Sequence, residues 1–292
     1  MFTLAHLSDP HLGPLPPVLL RELLNKRMTG YANWRRKRKF IHDPAVLEQI
    51  VTDLKAAKPD HIAAVGDFAN IGLPAEFERA AEFLGSLGTP ADVTAVPGNH
   101  DAYVQGSLPA MIETCGAFMR SDDGHDWFPL LRRRGPVALI GLSSGIPTAP
   151  FIASGAAGNA QLAKLAELLD ATQDQFRVVL IHHPPQSEQP KRKRLLDQKA
   201  LQRVIEHHGA GLVLHGHNHQ HEIHWLAGPN GTRVPAVGVP SASAVLRPNK
   251  DAAAYNLFRI EGERGAWRCE MQTRGIVAGG AIATLTQTTL AG

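Results

Sequence analysis

The strongest constraint in this chain is an alternation. Six short runs rich in Val, Ile and Leu, at 2–7, 61–65, 93–96, 137–142, 177–181 and 211–214, are each bounded by Gly, Pro, Asp or Asn. Runs of that length and composition are buried strands. Between most of them lie stretches with apolar residues at helical spacing, 44–57, 74–87, 159–169 and 197–208, the second opening on a proline suited to a helix's first turn. Strand alternating with helix predicts an α/β sheet. Beyond about residue 220 the pattern changes to strand candidates at 222–226, 232–239, 255–260 and 267–271, joined by turns with no helix between them. These are expected to form a second, antiparallel sheet or the other half of a sandwich. A chain of 292 residues, 43% hydrophobic and 20% charged, can bury this as one domain or two small ones. No repeat of fixed period is present.

The residues just past the strand ends carry the chemistry. Run 2–7 leads to Asp9-Pro10-His11, run 61–65 to Gly66-Asp67, and run 93–96 to Gly98-Asn99-His100-Asp101. Run 177–181 leads to His182-His183-Pro184, and run 211–214 to Gly216-His217-Asn218-His219. In an open α/β sheet, loops beyond the carboxyl ends of the strands converge on one crevice, so these groups should meet. The donors are carboxylate, amide and imidazole with no thiolate, a set suited to Mn, Fe, Zn or Co. Seven donors exceed one tetrahedral ion, and two ions sharing a carboxylate satisfy them. The two cysteines, Cys115 and Cys269, are too few for a disulfide framework and read as small buried residues in a reduced compartment.

The ordered set Asp-x-His, Gly-Asp-x-x-Asn, Gly-Asn-His-Asp, His, Gly-His-x-His, running from residue 9 to residue 219, resembles the calcineurin-like metallophosphoesterase superfamily. The nearest branch in pattern is that of bacterial class III cyclic nucleotide phosphodiesterases and glycerophosphodiesterases. The resemblance implies an α/β fold: a four-layer αββα sandwich of two mixed β-sheets flanked by helices, with the metal site at the carboxyl ends of the strands. It implies a domain spanning 1–275. It implies two divalent ions, one on Asp9, His11, Asp67 and His219, the other on Asp67, Asn99, His182 and His217, so that Asp67 bridges. Relatives with a single histidine at the fourth motif place it two residues before the proline, which selects His182 over His183. His100 would face the substrate and protonate the departing alkoxide, and Asp101 would orient His100. Water activated between the ions would be the nucleophile. The activity implied is phosphoester hydrolysis, with cyclic nucleotides and glycerophosphodiesters as leading substrates. A non-catalytic scaffold on this fold ranks last, because such proteins have lost ligands and this chain retains them all.

The net charge of +3 hides a split. Residues 15–40 carry eight Lys or Arg against one Glu, and the run Lys191-Arg192-Lys193-Arg194 adds four more positive charges, which leaves the remainder acidic. In the first segment Leu20, Leu23, Leu24, Met28 and Tyr31 stand at helical spacing before Trp34 and Arg35-Arg36-Lys37-Arg38-Lys39. Both segments leave ligand-bearing strands and should flank the site. They are read either as a solvated helix or as a basic amphipathic cap whose Tyr31, Trp34, Arg35 and Arg36, with Lys191 and Arg192, face substrate or an anionic membrane. In the second reading the chain is similar to family members that cleave the pyrophosphate of UDP-diacylglucosamine in lipid A synthesis. Nucleic acid is disfavoured as a partner, since only Tyr31 and Trp34 offer a stacking platform. Arg132-Arg133-Arg134 precede a strand and should point away from the site.

The remaining histidines receive ordinary readings. His6 and His215 should pack near the centre, His207 and His208 should end a helix, His221 and His224 should decorate a strand, and His42, His61 and His125 have no company suggesting function. Segment 276–292, small and polar with paired glycines, is expected to be a flexible tail or an arm docking on a second copy in a homo-oligomer. No signal-peptide pattern and no apolar stretch long enough to span a membrane is seen, so a cytoplasmic protein, at most peripheral at the inner membrane face, is expected.

Overall fold

A computed structural model describes residues 1–291; Gly292, the end of the expected tail, lies outside them. Two sheets of six strands stack face to face. The first has the order β12-β11-β10-β1-β2-β3. In it β1 (Phe2–Leu7), β2 (His61–Val65) and β3 (Val93–Val96) run parallel, and β10 (Ala254–Glu261), β11 (Arg268–Ile276) and β12 (Ile282–Ala291) add antiparallel. The second has the order β4-β5-β6-β7-β9-β8. Its parallel centre is β5 (Val137–Gly141), β6 (Phe176–Leu180), β7 (Leu212–His215) and β9 (Arg233–Gly238), with β4 (Leu130–Arg134) and β8 (Glu222–Ala227) as antiparallel edges.

Strand periodicity decides which side chains fill which layer. Along β1 and β2, Leu4, Ala63 and Val65 face the second sheet and join Val96, Leu139, Val178, Leu214 and Phe258 there. Their neighbours Ala5, Leu7, Ile62 and Ala64 face outward, under helices α2 (Pro44–Ala56), α3 (Pro74–Leu87) and α4 (Ser107–Cys115). On the far side α5 (Asn159–Asp170) and α6 (Gln198–His208) cover the second sheet with Leu162, Leu165, Leu169, Leu201 and Ile205. Strands buried on both faces read as continuous apolar runs, which is why these were visible in the sequence. Helix α2 shows how local signals cooperate. Asp43 accepts a hydrogen bond from the Ala45 N–H at 2.8 Å, Pro44 fixes the first turn, and Leu47, Ile50 and Leu54 form the buried stripe. Such a cap contributes about 1 kcal/mol. The result is the four-layer αββα sandwich expected.

Three expectations are corrected. The strands after residue 220 do not make a sheet of their own: β8 and β9 complete the second sheet, whereas β10 and β11 return to pair beside β1. Period-two patterning names a strand's faces but not its neighbour. Residues 282–291 are not a tail but the edge strand β12, paired with β11 from Ile276↔Ile282 to Cys269↔Ala291. The paired glycines are its hairpin turn, with Gly279 at φ 91° and Gly280 at φ 82°, and the threonines are β-branched strand formers. Finally, the basic segment 15–40, an insertion between β1 and α2, is not one amphipathic helix. A short 3-10 turn at Leu20–Leu23, α1 (Arg27–Arg36) and a second 3-10 turn at Arg38–Phe40 break it into pieces, and α1 buries no residue.

Candidate metal centre

The five loops meet. Asp9, His11, Asp67, His217 and His219 all adopt positive φ, between 40° and 67°. Non-glycine residues in this region are uncommon, and such conformations concentrate where side chains are held for function. The backbone is correspondingly crowded. A Cβ at Gly98 would collide with the Asp67 carboxylate, and one at Gly216 with Ser8 and Asp9, so both glycines are there for close approach.

One group of donors comprises Asp9, His11, Asp67 and His219. His219 Nε2 lies 3.0 Å from Asp9 Oδ1 and 3.3 Å from His11 Nε2. His11 Nδ1 lies 3.3 Å from the Ala69 carbonyl; with the N–H donated there, Nε2 carries the lone pair toward the centre. The other group comprises Asp67, Asn99, His182 and His217. His217 Nε2–H donates to the Lys193 carbonyl at 2.7 Å, which leaves Nδ1, 2.8 Å from Asn99 Oδ1, as an acceptor beside an acceptor. His182 Nδ1–H donates to the Val65 carbonyl at 2.9 Å, and its buried Nε2 has no hydrogen-bond partner. Asp67 joins the groups: its Oδ2 lies 3.3 Å from His182 Nε2 and 3.9 Å from His11 Nε2. Asp67 shares one candidate ion-holding set with Asp9 and His11 and another with His182 and His217.

These residues fit two cations. Facing lone pairs, an orphaned buried imidazole nitrogen and two buried carboxylates together require positive charge between them. His182 reports the same demand. Burial disfavours its protonated form, yet Asp67 and Asp9 overcome this and raise it to about 10. His183, in contrast, spends both nitrogens elsewhere, on Ser144 Oγ at 2.8 Å and the Ala153 carbonyl at 3.2 Å.

Asp101 is buried at the centre but does not touch His100. Its carboxylate accepts from the N–H groups of Asp67 at 2.8 Å, Ala69 at 2.9 Å and Gly98 at 2.8 Å, so it ties two ligand loops together. The group holding His100 is the Asn70 carbonyl, which accepts from Nδ1–H at 2.5 Å. A contact not foreseen from the sequence occupies the other ring nitrogen: Arg38 Nη2 donates to His100 Nε2 at 2.6 Å. Burial, and then the Arg38 charge, bring His100 down to about 3.

Arg38 comes from the insertion, where α1 stops at Arg36 and the chain turns inward at Lys37, φ −137°. It lines a cleft of about 500 Å3 over the centre with Lys37, His42, His100, Lys193 and Arg247. The insertion and the second basic run do flank the site, but through different residues from those expected. Tyr31 and Trp34 stack on each other with centroids 6.4 Å apart, Arg35 lies over the Tyr31 ring, and none of the three lines the cleft. Arg36, Lys191 and Arg192 are exposed outside it. The 132–134 run lies within β4. Arg132 is buried there and donates to the Arg120, Pro90, Val93 and Ala117 carbonyls.

A family model described as calcineurin-like phosphoesterase matches residues 2–221. The chain belongs to that family, a family of phosphoester hydrolases. Solved structures agree on the fold. A dimetal phosphatase of the zebrafish Danio rerio superposes with a TM-score of 0.63 at 13% identity, over 99% of this chain and 98% of that one. The purple acid phosphatase PPD1 of yellow lupin seeds gives 0.58 at 12% identity, over 99% of this chain and 53% of that one. No curated protein matches by sequence.

Proposed function

We propose that this protein is a phosphodiesterase acting on a small phosphodiester, with cyclic nucleotides and glycerophosphodiesters as the leading classes. The observation that carries the reading is that the cleft continues on two sides of the Arg38–His100 pair. One arm runs past Lys193, Asn218, Arg247 and Lys250. The other is a recess of about 310 Å3 lined by Lys26, Thr29, Tyr103, Phe151 and Ile152, and it shares Asn33, Arg38, Asn99, His100 and Ala153 with the first. An open diester such as a glycerophosphodiester carries two separate organic groups on phosphorus, whereas a monoester carries one and a cyclic nucleotide joins both ester oxygens to one sugar, so two arms suit the open diester.

Asp9, His11, Asp67, Asn99, His182, His217 and His219 would hold two divalent ions, which would supply electrophilic charge to the phosphoryl oxygens and lower the pKa of water toward neutrality. The chain's own groups do the rest. Arg38 reaches the phosphoryl group with the forked geometry that guanidinium presents to anionic oxygens. When it turns to that anion, His100 Nε2 is freed as a lone pair that can take up the proton released as water becomes the nucleophile and pass it to the departing alkoxide, with Asn70 holding the ring. Lys26 binds α1 to the 148–152 loop through Thr148 Oγ1 at 2.6 Å and the Ile152 carbonyl at 3.0 Å, closing the recess from above. Turnover of a panel by metal-reconstituted protein tests the reading: a bis-ester, a mono-ester, cyclic AMP and glycerophosphocholine. Diesters are expected to lead, and activity confined to the mono-ester overturns it.

A second reading, a peripheral membrane phosphoesterase or pyrophosphatase on a lipid-linked substrate such as UDP-diacylglucosamine, is favoured by one observation. The insertion holds Leu20 and Leu24 at 84% exposure and Met28 at 61%, and Phe151 of the recess is 82% exposed. Exposed large apolar side chains beside basic residues are what an interfacial cap uses.

A further inference from the structure

Between the insertion and α2 stands a residue that the family pattern does not include. His42 is buried, with its ring centroid 4.4 Å from that of His11 and 5.6 Å from that of His219. One of its nitrogens lies within 4.8 Å of ligand atoms of both.

The geometry says which nitrogen. Nδ1 lies 2.9 Å from Ser243 Oγ and 3.2 Å from Ser241 Oγ. The Ser241 hydroxyl donates its only proton to the Asp9 carbonyl at 2.7 Å, so toward His42 it accepts. With Nδ1–H donating into this pair of serine oxygens, Nε2 presents a lone pair to the centre. Metal-ligating histidines are fixed in this way, one nitrogen donating to an oxygen so that the other can coordinate. The mount is stiff as well. Asp43 N–H donates to the Ser243 carbonyl and Val245 N–H to the Ile41 carbonyl, both at 2.9 Å, while Ala242 N–H donates to the Ser8 carbonyl at 2.9 Å. Residues 41–43 are thereby stitched to the loop that also holds the end of β1.

We propose that His42 is a fifth protein ligand of the ion held by Asp9, His11, Asp67 and His219. The inference rests on the two-ion reading of the centre. It makes the two positions unequal: the first has three imidazoles and two carboxylates, the second two imidazoles, one carboxylate and one amide. The nitrogen-rich position should retain a borderline ion such as Co(II) more tightly and the other should exchange.

Co(II) titration by calorimetry and visible absorption, on metal-free wild type, His42→Ala and His42→Gln, tests this without reference to turnover. Wild type is expected to bind two Co(II), one more tightly. In both variants that tighter event should weaken at least about 10- to 100-fold, the loss typical even of an outer partner of a metal ligand, and its visible bands should change. His42→Gln keeps the side chain's bulk and serves if His42→Ala does not fold. Wild-type affinity and an unchanged spectrum in a folded variant overturn the assignment. A wild type that binds fewer than two Co(II) overturns the two-ion reading beneath it, a result told apart by arising before any substitution.

Discussion

Arg38 donates through Nη2 to Nε2 of His100 across 2.6 Å, joining a side chain of the insertion to the residue beside the candidate ligand Asn99. The pair places a permanent positive charge in the cleft over the candidate metal centre, where the proposed function puts the phosphoryl group. Loss of a charge-assisted hydrogen bond costs about 1.5–3 kcal/mol. Arg38→Ala is therefore expected to lower kcat/KM roughly 10- to 100-fold. Arg38→Lys should recover only part of this, because ammonium lacks the fork. Steady-state kinetics on the preferred diester, with metal content measured alongside, decides it; unchanged kcat/KM in Arg38→Ala removes the residue from substrate recognition.

His100→Ala should keep both ions, since the ring is held by Asn70 and Arg38 rather than belonging to either donor group. Turnover of an ester with a poor leaving group should fall by about 10² to 10⁴, the usual worth of a general acid. An ester with a nitrophenolate leaving group should suffer much less. Equal losses on the two esters would remove the proton-donor role.

The seven candidate ligand positions were legible because each lies just past a buried apolar strand, and the fold brings strand ends together. Arg38 was not legible. Five consecutive basic residues, 35–39, look alike in sequence, and only the break after Arg36 turns the fourth inward while Arg35 and Arg36 stay outside. His42 failed for a similar reason: its neighbours in space, His11, His219, Ser241 and Ser243, are remote in the chain. Asp101 was found but given the wrong partner, since a side chain beside His100 in sequence can bond backbone on another loop. The edge strand β12 was mistaken for a tail because Gly-Gly and threonines read alike as disorder or as a hairpin.

Stability should depend on pH through Asp53 of α2, whose carboxylate takes Nη2 and Nε of Arg274 at 2.7 Å each and the Tyr255 hydroxyl at 2.6 Å. The Arg274 hydrogen bonds, aided by Tyr255 and opposed by burial, hold Asp53 below the ordinary carboxylate value. The stabilisation is then fully present above the unfolded value near about 3.9, and is lost as pH falls through the lowered folded value. Asp53→Ala should cost about 1.5–3 kcal/mol at neutral pH, roughly 3–10 °C in Tm. Thermal melts from pH 7 to pH 2 check this. The gap between wild type and variant should close toward the acid end, and a gap independent of pH contradicts it.

Exposure of Leu20, Leu24 and Met28 predicts that replacing all three by Ser leaves hydrolysis of a small diester intact. If the insertion is an interfacial cap, wild type should co-sediment with anionic vesicles at low salt and the triple variant should not. A wild type indifferent to both anionic and neutral vesicles removes the membrane reading.

Asp67 is the carboxylate common to both donor groups, and the account stands on its bridging two ions. Metal analysis by mass spectrometry after Mn(II) or Co(II) loading and desalting is the direct test, run on wild type and Asp67→Ala. Two ions per chain in the wild type and loss of both in the variant are predicted; a folded Asp67→Ala protein that still carries two would contradict the shared centre.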